Sequence, residues 1–339
     1  MRANTLSPAV METDELTVGS DSITDLNPNR GKNLIINGDF DFWQRGTSFS
    51  STGYYADRWK SNNLSSATYT VSRQSFTTGQ TDVPDEPTYF FRIAVTVGGG
   101  SPRGIEQRIE NVRTAAGKTV TLSFWAKADA TRTMRLLLWQ GFGSGGSGNV
   151  TLTEQNPSIN TSWQKITATF DVPSISGKTI GVGSFLAASI QLDDISSGTL
   201  DLSHVQLELG SEATDFEILS RQQTREKCLR YFQSITFGGT YRGLGSIRCS
   251  QSGAIMAFGF RSFPMSMRVA PTATETNNGQ VNYVKTDTQA LTNGVAGGLY
   301  AECRTDGYTL KENIAGTNGH SYVGVCNSPV PVLEFDAEL

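Results

Sequence analysis

The chain has 339 residues, enough for two domains with cores of their own, and its 35 glycines beside only 18% charged residues describe an all-β protein with many turns. A formal charge of −4 with no block of Lys or Arg leaves no electrostatic footprint for nucleic acid. No apolar stretch approaches the roughly 18 residues of a membrane span and none near the start forms a signal-peptide core, so the sequence predicts a protein made and used in soluble form, without membrane insertion.

Residues 1–31 are polar, poor in aromatics and without sustained periodicity. Alone they bury too little surface to offset the entropy of ordering, so they read either as a disordered tail or as an arm that orders against a partner. From Asn33 to Lys60 the chain changes character. The apolar run Leu34 to Ile36 reads as a strand broken at Asn37-Gly38, a pair that tolerates positive φ. Phe40, Phe42, Trp43, Phe49, Tyr54, Tyr55 and Trp59 then follow within a few turns of chain. Two readings of these rings stand side by side: core of a β domain, or a platform on which sugar rings stack. Trp43, Tyr54, Tyr55, Trp59 and, further on, Trp139 are the candidate sugar contacts, because they sit in loops or at strand ends.

Alternating or apolar segments next predict strands over 67–76, 88–97, 105–109, 118–128, 133–140, 163–172, 179–186 and 199–209. Between them GFGSGGSG, 141–148, reads as a flexible loop with nothing heavy enough for a core. This number of strands at this spacing indicates a two-sheet sandwich of jelly-roll type. The segment 221–232 lacks Gly and Pro and places Cys228, Leu229 and Phe232 on one stripe, which predicts a helix. Short strands at 253–260, 281–285, 308–311 and 322–326 return between Gly- and Thr-rich loops. The fold class is therefore all-β, a jelly-roll sandwich over 32–215, a connecting helix within 216–232 and a smaller β domain over 233–339.

Signs of catalysis are missing. The chain holds no G-x-S-x-G, H-E-x-x-H or P-loop, and its histidines, His204 and His320, lie far apart. Asp193-Asp194 is the conspicuous carboxylate pair, but neighbours on a strand point to opposite faces and do not act together. No long β-helix repeat accompanies it. Cys228, Cys249, Cys303 and Cys326 form no C-x-x-C pair, which removes the spacing of a structural zinc site. Buried thiols are the default reading, with a Cys249–Cys303 or Cys303–Cys326 disulfide left open.

NLIINGDFDFWQRGT (33–47) with ADRW (56–59) resembles the opening of β-sandwich domains in phage tail-fibre and related virion proteins. GKTVTLSFWAKA (117–128), TSWQKITATFDVP (161–173) and VQLELGSEATDFE (205–217) are similar to their later landmarks, and FPMSMRVAPT (263–272) to an element of tail-fibre C-terminal domains. The resemblance implies a jelly roll like that of carbohydrate-binding modules and no enzymatic activity. It further implies an N-terminal arm holding other virion proteins and a homotrimeric C-terminal tip meeting host-cell glycan. The helix is then either packed on its own chain or a neck where three copies meet. Tail fibre and capsid decoration protein or head fibre remain alternatives, both assembled in the host cytoplasm. Related modules often hold a structural Ca²⁺, which makes Asp39 and Asp201, with the region up to His204, its candidates, although Leu202-Ser203-His204 does not match the usual late acidic pair. No other cofactor is implied.

Overall fold

The computed structural model describes residues 17–18, 21–22, 31–62, 64, 67–98, 103–193, 196–236, 243–248, 255–276, 281–285, 291–293, 300–313, 321–326 and 332–339. Nearly all of the expected arm over 1–31, together with Asp194, Cys249 and His320, lies outside them. Two short strands, β1 (Thr17–Val18) and β2 (Asp21–Ser22), pair with each other. The sandwich follows as β3 (Ser48–Phe49), β4 (Trp59–Asn62), β5 (Thr68–Ser75), β6 (Tyr89–Val97), β7 (Arg103–Glu110), β8 (Thr119–Ala128) and β9 (Arg132–Gly141). It is completed by β10 (Val150–Thr151), β11 (Ser158–Ile159), β12 (Gln164–Asp171), β13 (Phe185–Leu192) and β14 (Gly198–Leu209). Helix α1 (Arg221–Leu229) leads into β15 (Phe232–Thr236), β16 (Gly243–Arg248), β17 (Ile255–Ser262), β18 (Thr272–Thr276) and β19 (Val281–Lys285). The chain ends with β20 (Leu291–Asn293), β21 (Tyr300–Cys303), β22 (Gly307–Asn313), β23 (Ser321–Cys326) and β24 (Val332–Asp336).

One sheet of the sandwich runs β10-β9-β13-β7-β4, with β11 also on β9; the other runs β12-β8-β14-β6-β5-β3. Every pairing is antiparallel. Strict alternation explains the packing. Met134, Leu136 and Leu138 of β9 and Leu186, Ala188, Ile190 and Leu192 of β13 face inward, against Val120, Leu122 and Phe124 of β8 and Phe91, Ile93 and Val95 of β6. This jelly roll, one short helix and a smaller β region make up the fold.

The opening and closing motifs of the sandwich hold one another. Asn33 sends its amide N–H to the Val205 carbonyl at 3.0 Å, and its carbonyl accepts from Ile35 N–H at 2.9 Å and Leu207 N–H at 3.0 Å. The Glu217 carboxylate accepts the backbone N–H groups of Lys32 at 3.0 Å and Asn33 at 2.9 Å. Gly38 passes so close to β14 that a Cβ there would stand 2.0 Å from the Val205 oxygen, which explains why the Asn-Gly pair is needed; Asn37 itself takes φ 58°.

Several expectations are corrected. Leu34 to Ile36 form no strand, because their polar backbone is committed to β14 and to the Gln107 side chain rather than to a ladder. The strand expected over 179–186 begins at Phe185, since Gly181 N–H donates to the Phe142 carbonyl at 2.7 Å and 179–182 are tied to the glycine loop. That loop carries Phe142, fully buried, and so does contribute to a core. Helix α1 stops at Leu229; Phe232 already belongs to β15, which pairs with β24.

Beyond the sandwich, β15-β24-β18 form a three-stranded sheet, β16-β23-β19-β20 a four-stranded one and β17-β22-β21 another of three. The smaller β region thus leaves along β15 and returns along β24 beside it.

Candidate functional site

Three of the five candidate rings belong to the core. Trp43 is 8% exposed and Tyr55 and Trp59 are 0% exposed, so none offers a face to a ligand. Their polar atoms are also engaged: Trp43 Nε1–H donates to the Phe40 carbonyl at 2.7 Å, Trp59 Nε1–H to the Asn37 carbonyl at 2.9 Å, and the Tyr55 and Tyr69 hydroxyls meet at 2.9 Å. Phe40, Trp43 and Tyr55 surround Phe91, and the physical reason is area: rings this large stabilise most when both faces are covered. Tyr54 is half-buried, its hydroxyl donating to the Leu339 carbonyl at 2.7 Å. Trp139 is half-buried on the outside of the sandwich.

Asp201, proposed for calcium, is buried and receives two bonds of 2.7 Å from Arg92, with Lys127 Nζ at 3.9 Å. Its charge already has cationic partners on the same sheet face. Burial, reinforced by Asp41, pushes the Asp39 carboxyl up to about 6. His204 stacks on Phe216 with ring centres 4.3 Å apart, and burial lowers its pKa to about 4, so it is a neutral packing ring. Among the described residues no group of three or more His, Cys, Asp or Glu side chains converges.

The outer face of the β10-β9-β13-β7-β4 sheet is different. In register across it stand Asn62, Gly104, Gln191 and Arg135 in one row; Lys60, Glu106, Ser189 and Leu137 in the next; and Arg108, Ala187 and Trp139 in a third. Small residues along the middle make a floor. Gly104 is required there for backbone reasons as well, since a Cβ would fall 1.9 Å from the Ile190 carbonyl oxygen.

Hydrogen bonds fix the polar groups above this floor. Asn62 Nδ2 donates to Glu106 Oε2 at 2.8 Å and to Ser189 Oγ at 2.9 Å, and Gln191 Nε2 donates to Ser189 Oγ at 2.9 Å. Arg108 Nε donates to Glu106 Oε1 at 3.0 Å and its Nη1 to the Leu339 carbonyl at 3.1 Å. The same guanidinium lies 4.4 Å from the Phe185 ring centre and 5.5 Å from that of Trp139, and those two rings meet edge to face at 4.8 Å. Such a face combines an aromatic ledge with oriented donors and acceptors, as recognition of a polyhydroxylated ligand requires. Lys60 stands at its edge, its pKa lowered by burial and then by neighbouring Arg108.

The region after the sandwich closes over the adjoining corner. Arg58 projects from the same face beside Arg108, is 1% exposed, bonds Glu338 and the Arg108 carbonyl, and stacks on Tyr231 at 3.5 Å. Arg45 reaches Asp336 at 3.1 Å and Glu338 at 3.5 Å while lying 3.5 Å over Phe232. Arg230 grips Glu110 through bonds of 3.0 and 2.9 Å. Gln44-Arg45 and Asp57-Arg58, within the motifs that suggested a sugar platform, therefore hold the C-terminal segment.

The residues that sequence reasoning missed are Lys60, Asn62, Glu106, Arg108, Ser189 and Gln191. A signal for them existed. Glu106 and Arg108 alternate with Ile105, Gln107 and Ile109, and Ser189 and Gln191 alternate with Ala188, Ile190 and Leu192, a pattern that places polar groups on the outer side of an apolar strand.

Residues 32–184 match the carbohydrate binding domain family CBM_4_9. The sandwich accordingly carries a carbohydrate binding domain. Among solved structures, a CBM4 module is 19% identical over 51% of this chain and 98% of its own, with a TM-score of 0.34. The CBM22-1 xylan-binding domain of Paenibacillus barcinonensis Xyn10C is 12% identical over 54% and 97%, with a TM-score of 0.34. The enzymatically active domain of tailspike protein 4 from bacteriophage CBA120 is 16% identical over 53% of this chain and 22% of that one, with a TM-score of 0.35. No curated protein matches the chain.

Proposed function

We propose that the protein is a non-catalytic phage virion protein, a tail fibre that attaches to host-cell glycan through the outer face built around Trp139. The observation that carries the binding reading is the carbohydrate binding domain match over 32–184, which takes in Asn62, Glu106 and Trp139, together with the sheet face that β13 completes beyond the match with Phe185, Ser189 and Gln191. A sugar stacking on Trp139 gains apolar contact, while the half-buried Asn62, Lys60 and Arg108 offer donors to hydroxyls and the buried Glu106, Ser189 and Gln191 hold those donors in place. Each contact is weak, and several copies on one particle multiply it. The virion assignment rests on the motif resemblance at 33–47, 56–59 and 263–272, with the N-terminal arm as the attachment to other virion proteins and the smaller β region as the trimeric tip.

Trp139→Ala in the full chain tests the binding face. Loss of binding to host cells with an unchanged denaturation midpoint supports it; undiminished binding removes the site. Position on the particle is read by labelling the chain in intact virions: density at the tail supports the fibre, and density on the capsid replaces it with a decoration protein.

A further inference from the structure

We propose that the glycan recognised on this face is acidic, its sugar carboxylate seated between Arg108 and Lys60 while a neighbouring ring stacks on Trp139. The inference rests on the glycan-binding reading and narrows its ligand class.

Three observations lead to it. Arg108 is held in place by two of its nitrogens, Nε on Glu106 and Nη1 on the Leu339 carbonyl, and by the Phe185 ring beneath it. Its Nη2 has no protein partner among the described residues, so a preorganised pair of N–H donors remains beside the aromatic ledge. A guanidinium fixed in this way loses little freedom on meeting a carboxylate.

Charge favours the same ligand. Lys60 and Glu106 face each other in register with Nζ 3.9 Å from the carboxylate, and Arg108 is the next outward residue along β7. Two cationic side chains thus share one carboxylate side chain, on a chain whose net charge is −4. The other charges of this face and corner have partners: Arg135 with Glu154 at 2.6 Å, Arg58 with Glu338, and Arg230 with Glu110 at 2.9 Å. Burial and the Arg108 charge lower the Lys60 pKa, a cost that an incoming anion relieves. Both side chains stay open to solvent, 24% for Lys60 and 23% for Arg108.

The C-terminal segment takes part through position. Leu339 receives Arg108 and Tyr54 together and stands at the border of the face, so the orientation of Arg108 depends on a segment outside the sandwich.

The experiment uses the full chain and an array of uronate- and sialate-bearing oligosaccharides, each printed beside its carboxyl-reduced counterpart. The expected result is about tenfold stronger binding to an acidic member than to its reduced partner, a preference that shrinks as salt rises. Arg108→Gln abolishes that preference and Lys60→Gln lowers it, whereas Trp139→Ala weakens acidic and reduced forms alike. Because Arg108 packs on Phe185, Lys60→Gln serves as the variant that leaves the fold intact. Equal binding of acidic and reduced forms, still sensitive to Trp139→Ala, overturns the acidic ligand and leaves the glycan site standing. Absence of binding to every sugar overturns both.

Discussion

Arg58 combines a φ of 75°, which a bulky residue rarely adopts, with almost complete burial. Its charge is tolerable because Glu338 and Tyr231 are brought to it from the far end of the chain. Removing one partner of a buried pair leaves the other uncompensated, so Glu338→Ala is expected to cost about 3–5 kcal/mol in urea unfolding. Arg58→Asn combined with Glu338→Ala recovers much of that loss, since Asn accepts the left-handed backbone and leaves no buried charge. A double variant no more stable than Glu338→Ala would show that the pair is not the source.

Two other buried groups make a pH prediction with opposite signs. Burial lowers the His204 pKa from the ordinary 6.5 to about 4, so the unfolded chain takes up this proton first and folding loses stability as pH falls between those values. Asp39 is raised from 3.8 to about 6, so the fold regains stability over nearly the same interval as the carboxyl becomes neutral. At about 1.4 kcal/mol per pH unit, each contribution is about 3 kcal/mol. Relative to the wild type, His204→Asn should therefore gain about that much between pH 7 and pH 4, and Asp39→Asn should lose it. Denaturation midpoints across this range check both signs. At this scale the sequence disclosed little: a ring's identity does not say which face of which sheet covers it, and Trp43, Tyr55 and Trp59 went to the core although Trp139, of the same chemistry, did not.

Strands were more legible than single residues, because their signal is repeated. The segments predicted at 67–76, 118–128 and 163–172 appear as Thr68–Ser75, Thr119–Ala128 and Gln164–Asp171, each with the alternate apolar residues inside. The misplacements share a cause. Leu34 to Ile36 and residues 179–182 are apolar or extended, but distant chain takes their backbone hydrogen bonds, and no local pattern reports that. The short helix α1 shows the opposite case, a local device that acts as the sequence suggests. Ser220 Oγ accepts from Gln223 N–H at 3.3 Å while Gln223 Oε1 accepts from Ser220 N–H at 3.0 Å, a reciprocal capping box. Ser220→Ala is expected to cost about 1 kcal/mol of local stability. Hydrogen exchange of the amides in the first turn of α1 measures it, and unchanged protection would mean that packing against the sandwich alone holds the helix.

At the scale of the whole molecule, the smaller β region is attached through one antiparallel pair, Phe232 opposite Asp336 through Thr236 opposite Val332. Its chain leaves and returns at the same place, and that place is fastened to the sandwich by Arg45, Arg58, Arg230 and the carbonyls of Ala337 and Glu338 that accept from Arg268 at 2.9 Å. The sheets beyond this base have four and three strands, sizes that gain most from association with further copies. The full chain is accordingly expected to have three times the monomer mass by light scattering, and a chain shortened after Leu219 to be monomeric. The shortened chain should also unfold at lower urea, because Tyr231, Phe232 and Glu338 leave with the base while Arg45 and Arg58 lose their partners. A trimeric shortened chain would move the association to the sandwich itself, and a monomeric full chain would remove the trimeric tip. In either case the stability difference between the two chains still measures how firmly the base is joined to the sandwich, and therefore how rigidly Leu339 holds Arg108 at the edge of the binding face.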